Sequence, residues 1–193
     1  MAKLYFNFST MNAGKSSALL QAAYNYRERG MIPYLITAKL DNRSGDAKIV
    51  SRIGIEANAS VFGPDDDIYE KVKNALKPCK IDCVLLDEAQ FLSKSQVWQL
   101  AKIVDELNIP VLCYGLRVDF RGELFAGSLT LLSIADEMRE IKTICHCGKK
   151  ATMVVRKDAT GKVVAKGNQI QIGGNETYTS LCRRHWCEEI SGC

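Results

Sequence analysis

The sequence has no apolar run long enough to cross a membrane and few residues that interrupt regular structure. None of its 193 residues falls in a stretch of the ~18 consecutive apolar residues that a membrane-spanning helix needs. Only 4 residues are proline, and internal repeats and low-complexity tracts are absent. The opening residues, MAKLYFNFS, are too short and too interrupted for the apolar part of a signal peptide. We therefore expect a globular cytoplasmic protein with no membrane partner rather than a fibrous or disordered one.

The chain also lacks a strong charge of one sign. Its 26 Lys and Arg residues against 22 Asp and Glu give a net charge of +4 and an isoelectric point near 8.6. These residues are scattered, whereas proteins that bind nucleic acids usually concentrate positive charge on one face. The balance is compatible with small anionic ligands, and we expect no nucleic acid polymer as partner.

Cysteine, in contrast, is frequent and unevenly distributed. Of 8 cysteines, most lie in the last quarter of the chain, where they are Cys145, Cys147, Cys182, Cys187 and Cys193. In a cytoplasmic protein such residues are more often thiols or metal ligands than disulfides. This asymmetry indicates a separate module built on cysteine.

Two pairs of candidate metal ligands in that module suit a structural zinc site. They flank a hairpin predicted in residues 152–167 with its turn near 160–161, and they consist of Cys145, Cys147, Cys182 and His185. Three thiolates and one imidazole suit tetrahedral Zn²⁺, and four protein ligands leave no open position for catalysis. Cys187 could replace His185, and His146 lies between two of the ligands, so the fourth ligand stays open at this point.

Before residue 142, apolar strands alternate with amphipathic helices. Strands are predicted in LYFNF, PYLITA, CVLLDEAQF and PVLCYGL, and helices in residues 15–29, 65–77, 94–108 and 122–138. Strands that are apolar on both faces and interleaved with helices predict a parallel sheet covered on both sides. We place a domain boundary near residue 142, which separates residues 1–142 from a small zinc-binding β domain of residues 143–193.

A phosphate-binding loop is indicated between the first strand and the first helix. The loop comprises Ser9, Thr10, Met11, Asn12, Ala13, Gly14, Lys15 and Ser16. Backbone N–H groups at such a helix N-terminus would hold the phosphates of ATP, Lys15 would offset their charge, and the Ser16 hydroxyl can ligate Mg²⁺. Ser9 stands where these loops usually carry their first glycine, a turn that serine can make if φ stays negative. We expect an α/β fold with a P-loop (RecA-like) parallel sheet flanked by helices.

A pair of carboxylates follows the third predicted strand. Asp87 is placed to hold Mg²⁺, usually through water, and Glu88 to act as a general base. Gln90 and Phe91 come directly after them and are expected in the same cleft, with Gln90 near ATP and Mg²⁺.

Five motifs that run in order along the chain resemble the thymidine kinases of the cellular, zinc-containing type, and particularly the bacterial ones. They are MNAGKS at 11–16, DNR at 41–43, LLDEAQF at 85–91, GLRVDFRGELF at 115–125 and IGGNETY at 172–178. The resemblance implies ATP-dependent phosphorylation of the 5′-hydroxyl of thymidine, and of deoxyuridine, in nucleotide salvage. It implies catalytic roles for Glu88, Lys15 and Arg43. Two features depart from the family pattern and affect the metal geometry. The first two ligands are separated by one residue, in Cys-His-Cys, instead of two, and the last ligand is a histidine instead of a cysteine.

The same resemblance implies a thymidine pocket and an assembly. The pocket would consist of Met11, Asp41, Phe91, Leu116, Phe120, Phe125, Ile172, Gly173, Gly174 and Tyr178. A loop containing QIQIGGNETY would close over the base as a lasso. A homotetramer and feedback inhibition by thymidine triphosphate are also implied.

Two other classes of function compete with this interpretation. A P-loop ATPase could act on nucleic acid through a zinc ribbon, although few aromatic residues accompany the basic residues near the cysteines. A non-catalytic zinc-ribbon interaction protein would leave Lys15, Asp87 and Glu88 without a role.

Overall fold

A six-stranded parallel sheet forms the centre of the protein. The computed structural model describes residues 1–40, 47–170 and 177–190. In chain order the strands are β1 (Leu4–Ser9), β2 (Pro33–Ala38), β3 (Lys48–Val50), β4 (Glu56–Asn58), β5 (Ser60–Phe62), β6 (Cys83–Leu86), β7 (Val111–Leu116), β8 (Glu137–Glu140), β9 (Thr143–Ile144), β10 (Lys150–Ala151), β11 (Met153–Arg156) and β12 (Tyr178–Leu181). The helices are α1 (Lys15–Glu28), α2 (Ile68–Ala75), α3 (Lys94–Leu107), α4 (Ala126–Ile134) and α5 (Arg183–Ile190), with a 3₁₀ turn at Ala89–Phe91.

The order of the central sheet is β5-β2-β6-β7-β1-β8, and every pairing within it is parallel. Side chains of β6 alternate between the two faces: Cys83 and Leu85 pack with α1, whereas Val84 and Leu86 pack with α2, α3 and α4. All four are buried. The prediction of a parallel sheet covered by helices on both sides is therefore confirmed.

Local signals at the helix starts agree with the structure. Ser93 caps α3, because its hydroxyl accepts the Gln96 N–H at 3.2 Å while the Gln96 side chain accepts the Ser93 N–H at 3.0 Å. This reciprocal capping box satisfies two N–H groups that have no partner inside the helix. Helix α2 begins at Ile68, later than predicted, because Asp67 is its cap and accepts the Glu70 N–H at 2.9 Å.

The prediction of one helix over residues 122–138 is wrong at both ends. Helix α4 covers only Ala126–Ile134, and Glu137–Glu140 form β8, which pairs with β1 at the edge of the sheet. Ala135 leaves the helix in an extended conformation, and the Asp136 carboxylate accepts the Leu4 N–H at 2.7 Å. Tertiary contacts with β1 therefore override the local preference for helix.

The C-terminal part is built from short antiparallel pairs. Strand β9 pairs with β10 and β11 with β12, and α5 follows directly. The predicted turn at residues 160–161 is present, with Lys157 opposite Val163 and the Asp158 N–H donated to the Lys162 carbonyl. The domain boundary at residue 142 stays a prediction. Within the described ranges, every helix is too short or too polar to span a bilayer.

Candidate active site

One cavity of about 740 Å³ lies at the carboxyl ends of β1, β6 and β7. In parallel α/β sheets this edge is where ligands usually bind. The cavity is lined by these residues predicted for ATP, Mg²⁺ and thymidine: Met11, Asn12, Ala13, Gly14, Lys15, Ser16, Asp87, Glu88, Gln90, Phe91, Leu116, Phe120, Phe125 and Tyr178. The structure thus brings together motifs that are far apart in the chain.

The phosphate loop forms the polar end of the cavity. Gly14 precedes α1 with a φ of 81°, a left-handed conformation that glycine adopts without steric cost. Ser9 and Thr10 lie buried beneath the loop, and the Ser9 hydroxyl donates to the Thr10 carbonyl at 2.7 Å. The Lys15 ammonium donates to the same carbonyl at 3.2 Å, which folds the lysine side chain back over the loop.

Asp87 connects the acidic strand end to the phosphate loop. Its Oδ2 accepts the Ser16 hydroxyl at 2.7 Å, and its Oδ1 accepts the Glu88 N–H at 3.0 Å. Burial, and next the negative charge of Glu88, raise the pKa of the Asp87 carboxyl to about 7. A carboxylate and a hydroxyl are the oxygen ligands that Mg²⁺ prefers, and a cation beside them would favour the ionised carboxyl. The donor set therefore fits Mg²⁺.

Glu88 has an unusual backbone conformation. Its φ of 56° and ψ of 39° are left-handed, which is uncommon for a residue other than glycine and is often found at functional sites. The 3₁₀ turn of Ala89–Phe91 follows at once. This sharp turn sends the Glu88 side chain into the cavity wall beside Asp87, where proton transfer to a carboxylate is possible.

Aromatic side chains form the other end of the cavity. The rings of Phe91 and Phe125 meet edge to face with centroids 6.2 Å apart. Phe120, Tyr178 and Val154 form a small buried cluster against which Met11 packs. An apolar end opposite a polar end suits a ligand that has a flat ring and a phosphate-accepting group.

Several predicted residues lie outside the described ranges. These are Asp41, Arg43, Ile172, Gly173 and Gly174. Their roles in catalysis and in thymidine binding therefore stay predictions.

A third wall of the cavity was not predicted from the sequence. Residues 48–53, which comprise β3 and the turn towards β4, line it together with Thr37. Arg156 was also not predicted: its guanidinium lies 3.9 Å from the centroid of the Phe120 ring, in a largely buried position. A single arginine at the end of the apolar strand β11 was the available signal for this contact.

The C-terminal cysteine pairs meet in space. One ligand atom each of Cys145, Cys147, Cys182 and His185 lie within 4.8 Å of one another. Cys145 Sγ and Cys182 Sγ are 3.3 and 3.5 Å from His185 Nδ1, and the Sγ atoms of Cys147 and Cys182 are 3.9 Å apart. A tetrahedral zinc ion with ordinary bond lengths would separate its ligands by roughly 3.5–3.8 Å. The four residues therefore fit a structural zinc site.

Further details of the cluster agree with metal binding. Burial opposes ionisation of the Cys145 thiol, but the backbone N–H groups of Cys147 and Cys182, and then His185, lower its pKa to about 6. The described cysteines are all unbridged thiols. Cys187 packs at the edge of the small core, and His146 stacks on the His185 ring at 4.2 Å. Of the two alternatives, the structure places His185 in the cluster.

Comparison with known proteins settles the family. The family model described as thymidine kinase matches residues 2–186. The chain belongs to the thymidine kinase family. A thymidine kinase of Ruegeria pomeroyi is 63% identical over 188 residues, which is 97% of this chain and 95% of the relative. Thymidine kinases of a Jannaschia species and of Rhizobium etli are each 60% identical over at least 98% of this chain and at least 96% of their own length.

The comparisons and the structure each confirm an expectation from the sequence. The resemblance drawn from five short motifs was correct, and it extends over nearly the whole chain. The P-loop α/β fold with a C-terminal Cys and His cluster is also as expected. This family consists of phosphotransferases, so the chain is an enzyme of that class.

Proposed function

We propose that this protein transfers the γ-phosphoryl group of ATP to the 5′-hydroxyl of thymidine, and of deoxyuridine, for nucleotide salvage. The observation that carries the proposal is the 2.7 Å hydrogen bond from the Ser16 hydroxyl to Asp87. It joins the phosphate loop to the acidic strand end on one wall of the cavity, with Glu88 adjacent to Asp87. A phosphate cradle, a metal-binding carboxylate and a proton acceptor are the parts that phosphoryl transfer requires.

The triphosphate would occupy the polar end of the cavity. The backbone N–H groups at the start of α1 and the positive end of the helix dipole attract phosphate oxygens. On ligand binding, Lys15 would turn its ammonium from the Thr10 carbonyl to the phosphates. Ser16 and Asp87 would hold Mg²⁺, directly or through water, and the ion would neutralise charge on the phosphates.

Glu88 would act as the general base. As the 5′ oxygen forms its bond to the γ-phosphorus, the bond from that phosphorus to the bridging oxygen breaks and ADP leaves. The hydroxyl proton passes to the Glu88 carboxylate. Since phosphoryl transfer depends mainly on positioning and charge, the cavity walls that hold the reactants would contribute to the rate together with the base. A further charge contribution from Arg43 stays a prediction.

Thymine would lie at the apolar end, between the Phe91 and Phe125 rings on one side and the cluster of Phe120, Tyr178 and Met11 on the other. Leu116 completes this wall at the end of β7. Apolar walls stabilise a flat ring and discriminate only modestly between analogues that differ by one methyl group. This supports acceptance of both thymidine and deoxyuridine.

Zinc would be structural in this enzyme. Its four ligands connect the turn between β9 and β10 to the start of α5. The strands β11 and β12, which lie between these ligands in the chain, place Val154 and Tyr178 against the proposed thymine pocket. The metal would therefore support the substrate wall without touching the substrate. The homotetramer, the feedback inhibition by thymidine triphosphate and the cytoplasmic location stay predictions from the sequence.

The proposal is tested by incubating the protein with Mg²⁺, γ-labelled ATP and one nucleoside at a time. Label should pass to thymidine, to deoxyuridine and to 3′-deoxythymidine, which keeps the 5′-hydroxyl. It should not pass to 5′-deoxythymidine, the matched compound without the acceptor. ATP hydrolysis stimulated by single-stranded DNA, with no labelled nucleoside, would instead support an ATPase acting on nucleic acid.

A further inference from the structure

The side chain of Gln90 lies between the proposed base and the substrate wall. It is 2% exposed and sits in the 3₁₀ turn that follows Glu88. Its Oε1 accepts the Leu116 N–H, at the end of β7, at 3.0 Å. A backbone N–H can only donate, so this contact fixes which end of the amide is oxygen.

The NH₂ group of the Gln90 amide therefore faces Glu88. With Oε1 on the Leu116 N–H, Nε2 faces the carboxylate and donates to its Oε2. A hydrogen bond to a charged acceptor is shorter and stronger than one between neutral groups. One oxygen of the Glu88 carboxylate is thus held in place by the Gln90 amide.

Both ends of this connection rest on fixed backbone. The Leu116 carbonyl accepts the Ser128 hydroxyl, so the Leu116 residue is hydrogen-bonded through its N–H and its C=O. The turn that carries Gln90 is packed against α4: a Cβ added to Gly127 would lie 2.4 Å from the Ala89 carbonyl oxygen. The amide of Gln90 therefore bridges two supports that have little freedom to move.

We propose that Gln90 is a positioning residue that orients the Glu88 carboxylate relative to the thymidine pocket. Leu116 forms part of the apolar wall, so the chain of contacts from Leu116 through Gln90 to Glu88 sets the distance between bound nucleoside and base. This role differs from the contact with ATP or Mg²⁺ expected from the sequence. The inference rests on the proposed function.

The test uses Gln90→Glu, which has the same shape as glutamine. The new carboxyl group can still accept the Leu116 N–H. When ionised it repels the Glu88 carboxylate instead of donating to it, and when protonated it shares its proton with Glu88, which weakens Glu88 as a proton acceptor. We expect kcat to fall by about 10- to 100-fold, with KM for thymidine and for ATP within about threefold of wild type, since positioning for reaction governs rate more than binding. Zinc content should not change.

A double-mutant cycle distinguishes positioning from a structural role. In a Glu88→Gln background, Gln90→Glu should lower kcat by less than about threefold. The reason is that substitutions of residues that act as one unit do not have additive effects on the activation free energy. Independent, multiplying losses would overturn the proposal, as would a normal kcat in Gln90→Glu alone. If Gln90→Glu does not fold, Gln90→Met removes the donor without adding charge, and the same cycle applies to it.

Gln99→Glu is the matched control. Gln99 also uses its Oε1 to accept a backbone N–H, that of Ile68 at 2.9 Å, but it does not line the cavity. Its kcat should equal that of wild type. If wild-type protein transfers no phosphate to thymidine, the proposed function fails; if wild type and Glu88→Gln behave as expected but Gln90→Glu does not, only the role of Gln90 fails.

Discussion

The cavity at the carboxyl ends of the strands and the cluster of Cys and His residues are stabilised by different interactions. The cavity lies on a sheet whose two faces are covered by large buried clusters. Among the described residues, the core under the cysteine cluster has these buried members: Cys145, Ala151, Val155, Leu181, Cys182 and Trp186. Two of them are themselves candidate zinc ligands. We therefore expect this region to depend on a bound metal for its stability, whereas the cavity depends on packing of the sheet.

The two regions are nevertheless in contact, and one contact is made by Trp186. The Trp186 indole N–H lies 3.1 Å from both the Phe120 and the Val154 carbonyl oxygens. Phe120 belongs to the first region and Trp186 to the second. Loss of the zinc site should therefore weaken the thymine wall, whereas changes at the phosphate end should leave the zinc site intact.

The largest expected effect follows from breaking the zinc site with Cys182→Ser. Structural zinc contributes about 10–16 kcal/mol in isolated zinc-finger peptides, far more than this small core can replace. We expect zinc content to fall from about one per chain to near zero, with rapid hydrogen exchange in residues 143–190. Metal analysis and hydrogen exchange check this. Cys79→Ser, at an exposed thiol, should keep its zinc; undiminished zinc in Cys182→Ser would contradict the assignment.

Glu88→Gln should have the next largest effect, and only on the chemistry. Loss of a general base typically lowers kcat by about 10²- to 10⁴-fold. Affinity for ATP and zinc content should stay at wild-type values, as measured by calorimetric titration and metal analysis. Glu28→Gln, on the exposed face of α1, is the control. Normal turnover by Glu88→Gln would remove Glu88 from the mechanism.

Gly127→Ala tests whether packing of the sheet region sets the catalytic geometry. The added Cβ would lie 2.4 Å from the Ala89 carbonyl oxygen and 2.8 Å from that of Leu92, so the turn after Glu88 must shift. Overpacking of this kind costs about 1–3 kcal/mol. We expect a lower melting temperature and a reduced kcat with full zinc content. Leu129→Ala, at an exposed position of the same helix, should be nearly neutral.

The smallest effect is expected for Ser93→Ala, which removes the cap of α3. A lost cap costs about 0.5–2 kcal/mol of stability. Urea denaturation should show this decrease, while kcat and zinc content stay unchanged because Ser93 lies outside both sites. A large loss of activity would mean that α3 transmits more to the cavity than its packing indicates.

The features that the sequence predicted well are those fixed by local patterns. Continuous apolar runs such as CVLL that alternate with amphipathic helices indicate buried strands, and two close pairs of Cys and His residues indicate a metal site. The predicted hairpin does not itself bring the two pairs together, because β11 pairs with β12. The strand Glu137–Glu140 was not predicted, because its polar residues have no apolar alternation and only its pairing with β1 makes it a strand.

Contacts between distant parts of the chain could not be read from the sequence. Gln90 lies two residues after Glu88 in the sequence, but the orientation of its amide depends on the Leu116 N–H, 26 residues later. The wall formed by residues 48–53 likewise depends on how the short hairpin of β3 and β4 packs against α1. Both features are products of tertiary packing.

A crystal structure with thymidine, Mg²⁺ and a non-hydrolysable ATP analogue would test the central claim most directly. The distance to measure joins the 5′ oxygen of thymidine to the nearer carboxylate oxygen of Glu88. Proton transfer requires roughly 2.6–3.2 Å, or one bridging water, and the γ-phosphate should lie beside Lys15. A 5′ oxygen far from Glu88, with thymine outside the aromatic end of the cavity, would contradict the account.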